Sequence, residues 1–152
     1  MGRSKVLNKS IDRGITVKVP KGLTSELGIP LNKGNICIAQ TSPPGVRKAY
    51  LDQFEKELTA FLRSHSEEMI PGGLMVLIFV GSNEDPDCFT RFGPNIWEQF
   101  GMILNDMVIE GLIEASRLDS FNMPLYTPSA EEARQVIQRE GSFSLAGSRH
   151  SY

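Results

Sequence analysis

Apolar side chains recur at Val46, Tyr50, Phe54, Leu58, Phe61 and Leu62, with charged residues between them. Steps of three and four match the helical period, and prolines 43 and 44 suit a helix entrance, so an amphipathic helix is expected from Pro44 to Glu68. Pro71, Gly72 and Gly73 then turn the chain into LMVLIFV (74–80), which is apolar at every position and partly β-branched. A run without alternation predicts a strand covered on both faces. Long helix, tight turn and doubly buried strand make the αβ step of a parallel sheet, so the expected fold class is α/β.

The remaining pattern is thinner. KGLTSELGIPLNKG (21–34) reads as loop with at most one short helical turn, NICIAQ (35–40) as a short strand, and SNEDPD (82–87) as an acidic turn. Ile96, Phe100, Ile103, Leu104, Met107, Val108 and Leu112 form a stripe wide enough to predict a helix sandwiched between neighbours. Ser129 with Glu132 forms a capping box that opens SAEEARQVIQRE, and Gly141 closes it. SFSL (142–145) begins one more strand. A parallel sheet needs more strands than these, so the α/β pattern reads as incomplete. No repeat of fixed period occurs, and the last residues have the composition of a frayed tail.

Composition narrows the class. With 152 residues the chain has room for one core. Its 16 basic and 18 acidic residues leave a net charge of -2, which gives no electrostatic footprint for nucleic acid or anionic lipid. The apolar run at 74–80 falls far short of the roughly 20 residues of a membrane span, and the N-terminal residues lack the apolar core of a secretory signal, so a cytoplasmic protein is expected. Cys37 and Cys88 have no CxxC partner and are expected to be reduced thiols.

Two places carry candidate chemistry. In LDSFNMPLYTP (118–128), Asp119 and Asn122 offer hard oxygen donors, and the Phe121 carbonyl adds a third, a set suited to magnesium or calcium. The same residue types serve local turns by bonding their own backbone, and spacing alone favours the turn. Ile96 and Trp97 open the apolar helix; a Trp there suits core packing or the flat wall of a small-molecule pocket, and the bare pattern favours packing. The loop VGSNED lacks a dinucleotide fingerprint, and no P-loop, nucleophile elbow, zinc motif or triad spacing is present.

Taken together, VPKGLTSELGI, NKGNICIAQTSPPGVRKAYLDQFEKELTAFLRSHSEEMIPGG, MVLIFVG, IWEQFGMILNDMVIEGLIEASRLDSFNMPLYTPSAEE and EGSFSL closely resemble, in order, the middle part of the plant SABATH methyltransferases. The resemblance spans residues 19–145. It implies a partial Rossmann-like methyltransferase core of few strands with helical cap elements, flanked by an unrelated, disordered segment at 1–18 and a frayed tail at 146–152. It implies methyl transfer from S-adenosylmethionine to a small-molecule carboxylate or a xanthine nitrogen, by in-line displacement that needs no covalent nucleophile. It implies a substrate wall at Ile96 and Trp97, a Mg2+ site at Asn32, Asp119, Phe121 and Asn122, and a homodimer for the full-length protein. KGLTSELGI and LDQF lean toward the caffeine-pathway side of the family.

The departures from the family are equally specific. Nothing in residues 1–18 matches the Gly-rich loop or the acidic residue that hold the methyl donor, W-L-S-Q-V-P is reduced to KVP (18–20), and the family's C-terminal strands have no counterpart. The chain alone is therefore expected to be marginally stable or insoluble and to bind no methyl donor. The alternatives to an enzyme segment are a non-catalytic fragment that associates with a full-length methyltransferase and the product of a pseudogene.

Overall fold

A computed structural model of the protein describes residues 19–81 and 96–146. The expectations for 1–18, for the acidic turn at 82–87, for Cys88 and for most of the C-terminal tail fall outside these residues.

The first helix, α1 (Pro44–Glu68), has the predicted bounds. Pro44 occupies its first turn, where no backbone N–H is needed, and the Met69 N–H closes it on the His65 carbonyl at 3.1 Å. Val46, Tyr50, Phe54, Leu58 and Leu62 are all buried. Steps of four keep them on one stripe, so one face of α1 is the spine of the main core.

That spine packs against the last helix, α4 (Ala130–Glu140), through Val136 and Ile137. Its capping box forms as the sequence implies: the Ser129 hydroxyl accepts the Glu132 N–H, and the Glu132 carboxylate accepts the Ser129 N–H at 2.7 Å. Gly141 ends the helix with φ of 83°, a left-handed value that a side chain rarely adopts. Arg47 pairs with Glu132 at 3.2 Å and Arg139 with Glu55 at 3.0 Å, so the two helices run in the same direction. Both arginines are mostly exposed, and such rim pairs add at most about 1 kcal/mol each; the apolar contact holds the helices together.

The segment 74–80 lies extended across this core. Met75, Leu77 and Phe79 pack inward, and Phe79 meets Phe54 edge-on with ring centroids 6.0 Å apart. Leu74, Val76, Ile78 and Val80 point the other way and are 82–91% exposed. The expected doubly buried strand is thus corrected to an extended segment covered on one face. No β-ladder forms among the described residues, so the strands expected at 35–40 and 142–145 are likewise corrected. The reason is physical: an apolar run on both pleat faces anticipates two covers, and α1 with α4 supplies only one. Among the described residues the fold is helical, with α1 and α4 running the same way against one extended segment.

A smaller core forms beside it. Ile36, Cys37 and Leu118 are buried together, with Leu104, Val108 and Met123 packed on them. Leu104 and Val108 come from α2 (Ile96–Ile109) and Leu118 from the short helix α3 (Ala115–Ser120). The expected sandwiching of α2 is corrected here: within it only Gly101 is buried, and Ile96, Phe100, Ile103 and Ile109 are exposed. Helix α3 and the 34–39 segment cover one side of α2, and no described residue covers the rest. Tyr50 joins the cores, its hydroxyl donating to the Met123 carbonyl at 2.7 Å.

Candidate functional site: a tryptophan-walled cleft on a polar hub

The turn-rich segment 32–42 and the N-terminal half of α2 enclose a cleft of about 340 Å³. Gly34 to Cys37 and Ala39 to Thr41 form one side, and Trp97, Glu98, Gly101, Met102 and Asn105 the other. Residues 97, 101 and 105 share a helix face by their spacing of four. Gly101 is buried against Ile36, where a methyl group would make only an ordinary contact at 3.7 Å. The Trp97 ring lies 6.0 Å from that of Phe100, tilted by 34°.

Ile96 and Trp97 therefore part company. Trp97 lines the cleft, whereas Ile96 is exposed and is not among its walls. Glu98 faces the cleft and its carboxylate accepts the Gln40 N–H at 3.2 Å. No described lining residue is cationic.

Beneath the cleft lies a polar hub. Asn32 is fully buried. Its amide nitrogen donates to the Cys37 carbonyl at 3.0 Å and to Asn122 Oδ1 at 3.1 Å, and its oxygen accepts the Ser42 hydroxyl at 2.7 Å. Asp119 Oδ1 accepts the Gly34 N–H at 2.9 Å. The Met123 N–H donates to the Ile36 carbonyl at 2.7 Å. From the opposite side Asn105 donates to the carbonyls of Gly34 at 2.6 Å and Gly101 at 2.8 Å. Gly34 has φ of 72°, and a methyl group there would press to 3.3 Å from Asn105, so the turn is specific for glycine.

The structure thus brings Asn32, Asp119 and Asn122 together across about ninety residues of sequence, while the Phe121 side chain is exposed. Asp119 belongs to the last turn of α3 and not to the loop expected around it. Asn32 turns its nitrogen, not its oxygen, toward the loop. That donor set does not fit a cation held between Asn32 and Asn122. Sequence reasoning missed Asn105, Ser42, Gly34 and Glu98; a carboxamide at 105 inside an apolar helical stripe was the one available signal.

Cys37 is buried between cleft and small core. Burial, and secondarily the Glu98 carboxylate, pushes its thiol from 9.0 up to about 11. Burial likewise pushes the Tyr50 phenol up to about 12. For such acids the folded pKa exceeds the unfolded one. The stabilisation is complete below the unfolded value and is lost as pH rises through the folded one. Urea midpoints are therefore expected to fall as pH climbs from 9 toward 11. Cys37→Ala, whatever its midpoint at neutral pH, should fall less steeply over that window; equal slopes would refute the assignment.

Comparison with known proteins places this geometry. A family model described as SAM-dependent carboxyl methyltransferase matches residues 15–151, thereby including residues 15–18. Among curated proteins, "Probable caffeine synthase MTL2" of Coffea canephora is 48% identical over 84% of this chain and 32% of its own length. "7-methylxanthine methyltransferase PCS1" of Camellia ptilophylla is 46% identical over 84% of this chain and 35% of its own length. The solved structure titled "Loganic acid methyltransferase with SAH" superposes with a TM-score of 0.72 at 33% identity, covering 84% of this chain and 36% of that one. The chain spans about a third of the length of the relatives it matches. No helix among the described residues is long and apolar enough to cross a membrane.

Proposed function

The chain belongs to the SABATH family of SAM-dependent carboxyl methyltransferases, on its caffeine synthase-like side, and on that premise we propose that it supplies part of the substrate wall for methyl transfer to a small, flat, uncharged heterocycle of the xanthine type. The single observation behind this reading is the cleft itself, with an aromatic wall at Trp97 across from the backbone of residues 34–41. Relatives named for caffeine synthesis and for 7-methylxanthine methylation support the same acceptor class. A xanthine presents amide-type donors and acceptors and an aromatic face, which an indole ring and backbone groups can match.

S-adenosylmethionine supplies the methyl group as a sulfonium. In the displacement, a bond forms from substrate nitrogen to methyl carbon as the carbon–sulfur bond breaks, and the substrate proton passes to solvent. The part assigned to this chain is positioning. Trp97 holds the ring plane, the 34–41 segment offers backbone groups, and the apolar walls limit water. Mg2+ has no role in this scheme.

Transfer of labelled methyl from S-adenosylmethionine to methylxanthines and to aromatic acids tests it, assayed on this chain and on a protein of the relatives' length that carries it. Methylxanthines are expected as the preferred acceptors. Trp97→Ala should raise KM about tenfold or more, because loss of an aromatic stacking partner costs about 1–3 kcal/mol. Methylation of acids alone, or an unchanged KM in the variant, would overturn the proposal.

The bare face of residues 74–80 favours a second reading, in which the chain associates with a full-length methyltransferase without turning over substrate. Co-purification with such a relative, combined with no transfer by the chain itself, would select it.

A further inference from the structure

The hub under the cleft has two ways to be fastened, through a divalent cation or directly, and they differ in which end of the Asn32 amide faces the loop at 121–123. Asn32 Nδ2 lies 3.0 Å from the Cys37 carbonyl oxygen, 3.1 Å from Asn122 Oδ1 and 3.5 Å from the Asn35 carbonyl oxygen. The backbone carbonyl of Cys37, with that of Asn35 behind it, decides that this end carries the nitrogen, and the Asn122 amide oxygen follows from that. Rotating the amide by a half turn would set its oxygen against both backbone carbonyls, and the Ser42 hydroxyl, whose own oxygen already accepts the Ala39 N–H at 2.9 Å, would lose its acceptor.

The consequence is electrostatic. The positive end of the buried Asn32 dipole points at the place where a cation bridging the two segments would sit. Asp119, the one carboxylate in the hub, accepts the Gly34 N–H through Oδ1. Magnesium requires near-octahedral oxygen ligation, and a buried N–H directed at it is repulsive. We propose that the turn at 32–35 and the loop at 119–123 are latched directly, Asn32 N–H to Asn122 oxygen and Gly34 N–H to Asp119, with no divalent cation between them. Because Gly34 and Asn35 form the cleft floor, the latch is also a positioning device, and Asn122, distant in sequence and outside the cleft wall, sets the floor's place against Trp97. The latch stands on its own geometry, whatever substrate the cleft takes.

Trp97 is the only tryptophan in the chain, so its emission reports on the cleft. Thermal unfolding and Trp97 emission are measured in EDTA and in magnesium chloride. Direct latching predicts identical Tm and emission in the two buffers. In EDTA, Asn122→Asp keeps an oxygen opposite Asn32 and should hold Tm within a degree or so of wild type. Asn122→Leu leaves one Asn32 N–H with no acceptor nearer than the Asn35 carbonyl at 3.5 Å and should lower Tm by roughly 3–10 °C and shift Trp97 emission. A magnesium-dependent rise in wild-type Tm that Asn122→Leu abolishes would overturn the proposal. So would an Asp variant as destabilised as the Leu variant, or a Leu variant with unchanged Tm and emission.

Discussion

Phe54→Ala is expected to cost about 3–5 kcal/mol and to lower Tm by roughly 10 °C or more, the largest effect of any single truncation in the main core. Phe54 is 1% exposed and sits where three elements meet: it lies on the α1 spine, its ring is 6.0 Å from Phe79 of the extended segment, and 5.4 Å from Tyr126, which precedes α4. Removing the ring leaves a cavity that no single neighbour can fill, because each is anchored on a different element. Phe54→Leu keeps much of the volume and should lose under half as much. Calorimetric unfolding of the three proteins is the check. An alanine variant that unfolds within a few degrees of wild type would show that α1, α4 and residues 74–80 do not share one cooperative core.

Paired replacement of Val76 and Ile78 by lysine should act in the opposite direction, on association and not on stability. Both side chains are more than four-fifths exposed and touch no part of either core, so their loss removes little packing. They lie on a long, flat, apolar extended segment without ladder partners among the described residues, the setting in which chains pair edge to edge and aggregate. Lysine is the residue by which natural sheet edges are protected. The expected outcome for the 152-residue chain is a several-fold rise in the concentration at which light scattering still reports a monomer, at nearly constant Tm. A fall in Tm of several degrees would mean that this face is covered in the free protein. Undiminished association would move the sticky surface elsewhere, and the exposed apolar face of α2, with Phe100 and Ile103, is the next candidate. The same substitutions in a protein of the relatives' length are a separate question, since further strands there can use this face.

Much of this architecture was legible in the chain. The bounds of α1 followed from Pro44 and five apolar positions at steps of four, and the start of α4 from Ser129 with Glu132, because helix termini and stripes are local, repeated patterns. The extended conformation at 74–80 was legible, but its cover was not. A sequence states that both faces are apolar, and whether two layers reach them depends on segments far along the chain. Helix α2 departed for the same reason: the width of its stripe predicts neighbours, and among the described residues α3 and the 34–39 segment meet one side of it.

The candidate site divides along the same line. Residue types and spacing alone marked Trp97 as a possible wall and Asp119 with Asn122 as a pair of oxygens beside a turn, and the ordered resemblance linked them to Asn32. Which atoms face one another was decided only by the tertiary structure. It placed Asn32 nitrogen against Asn122 oxygen, Asn105 over the Gly34 carbonyl, and Ile96 outside the cleft that Trp97 lines. The physical reason is range: propensity, capping and periodicity act over a few residues and are written in every stretch, whereas a hydrogen bond between residues 32 and 122 depends on how the whole core closes.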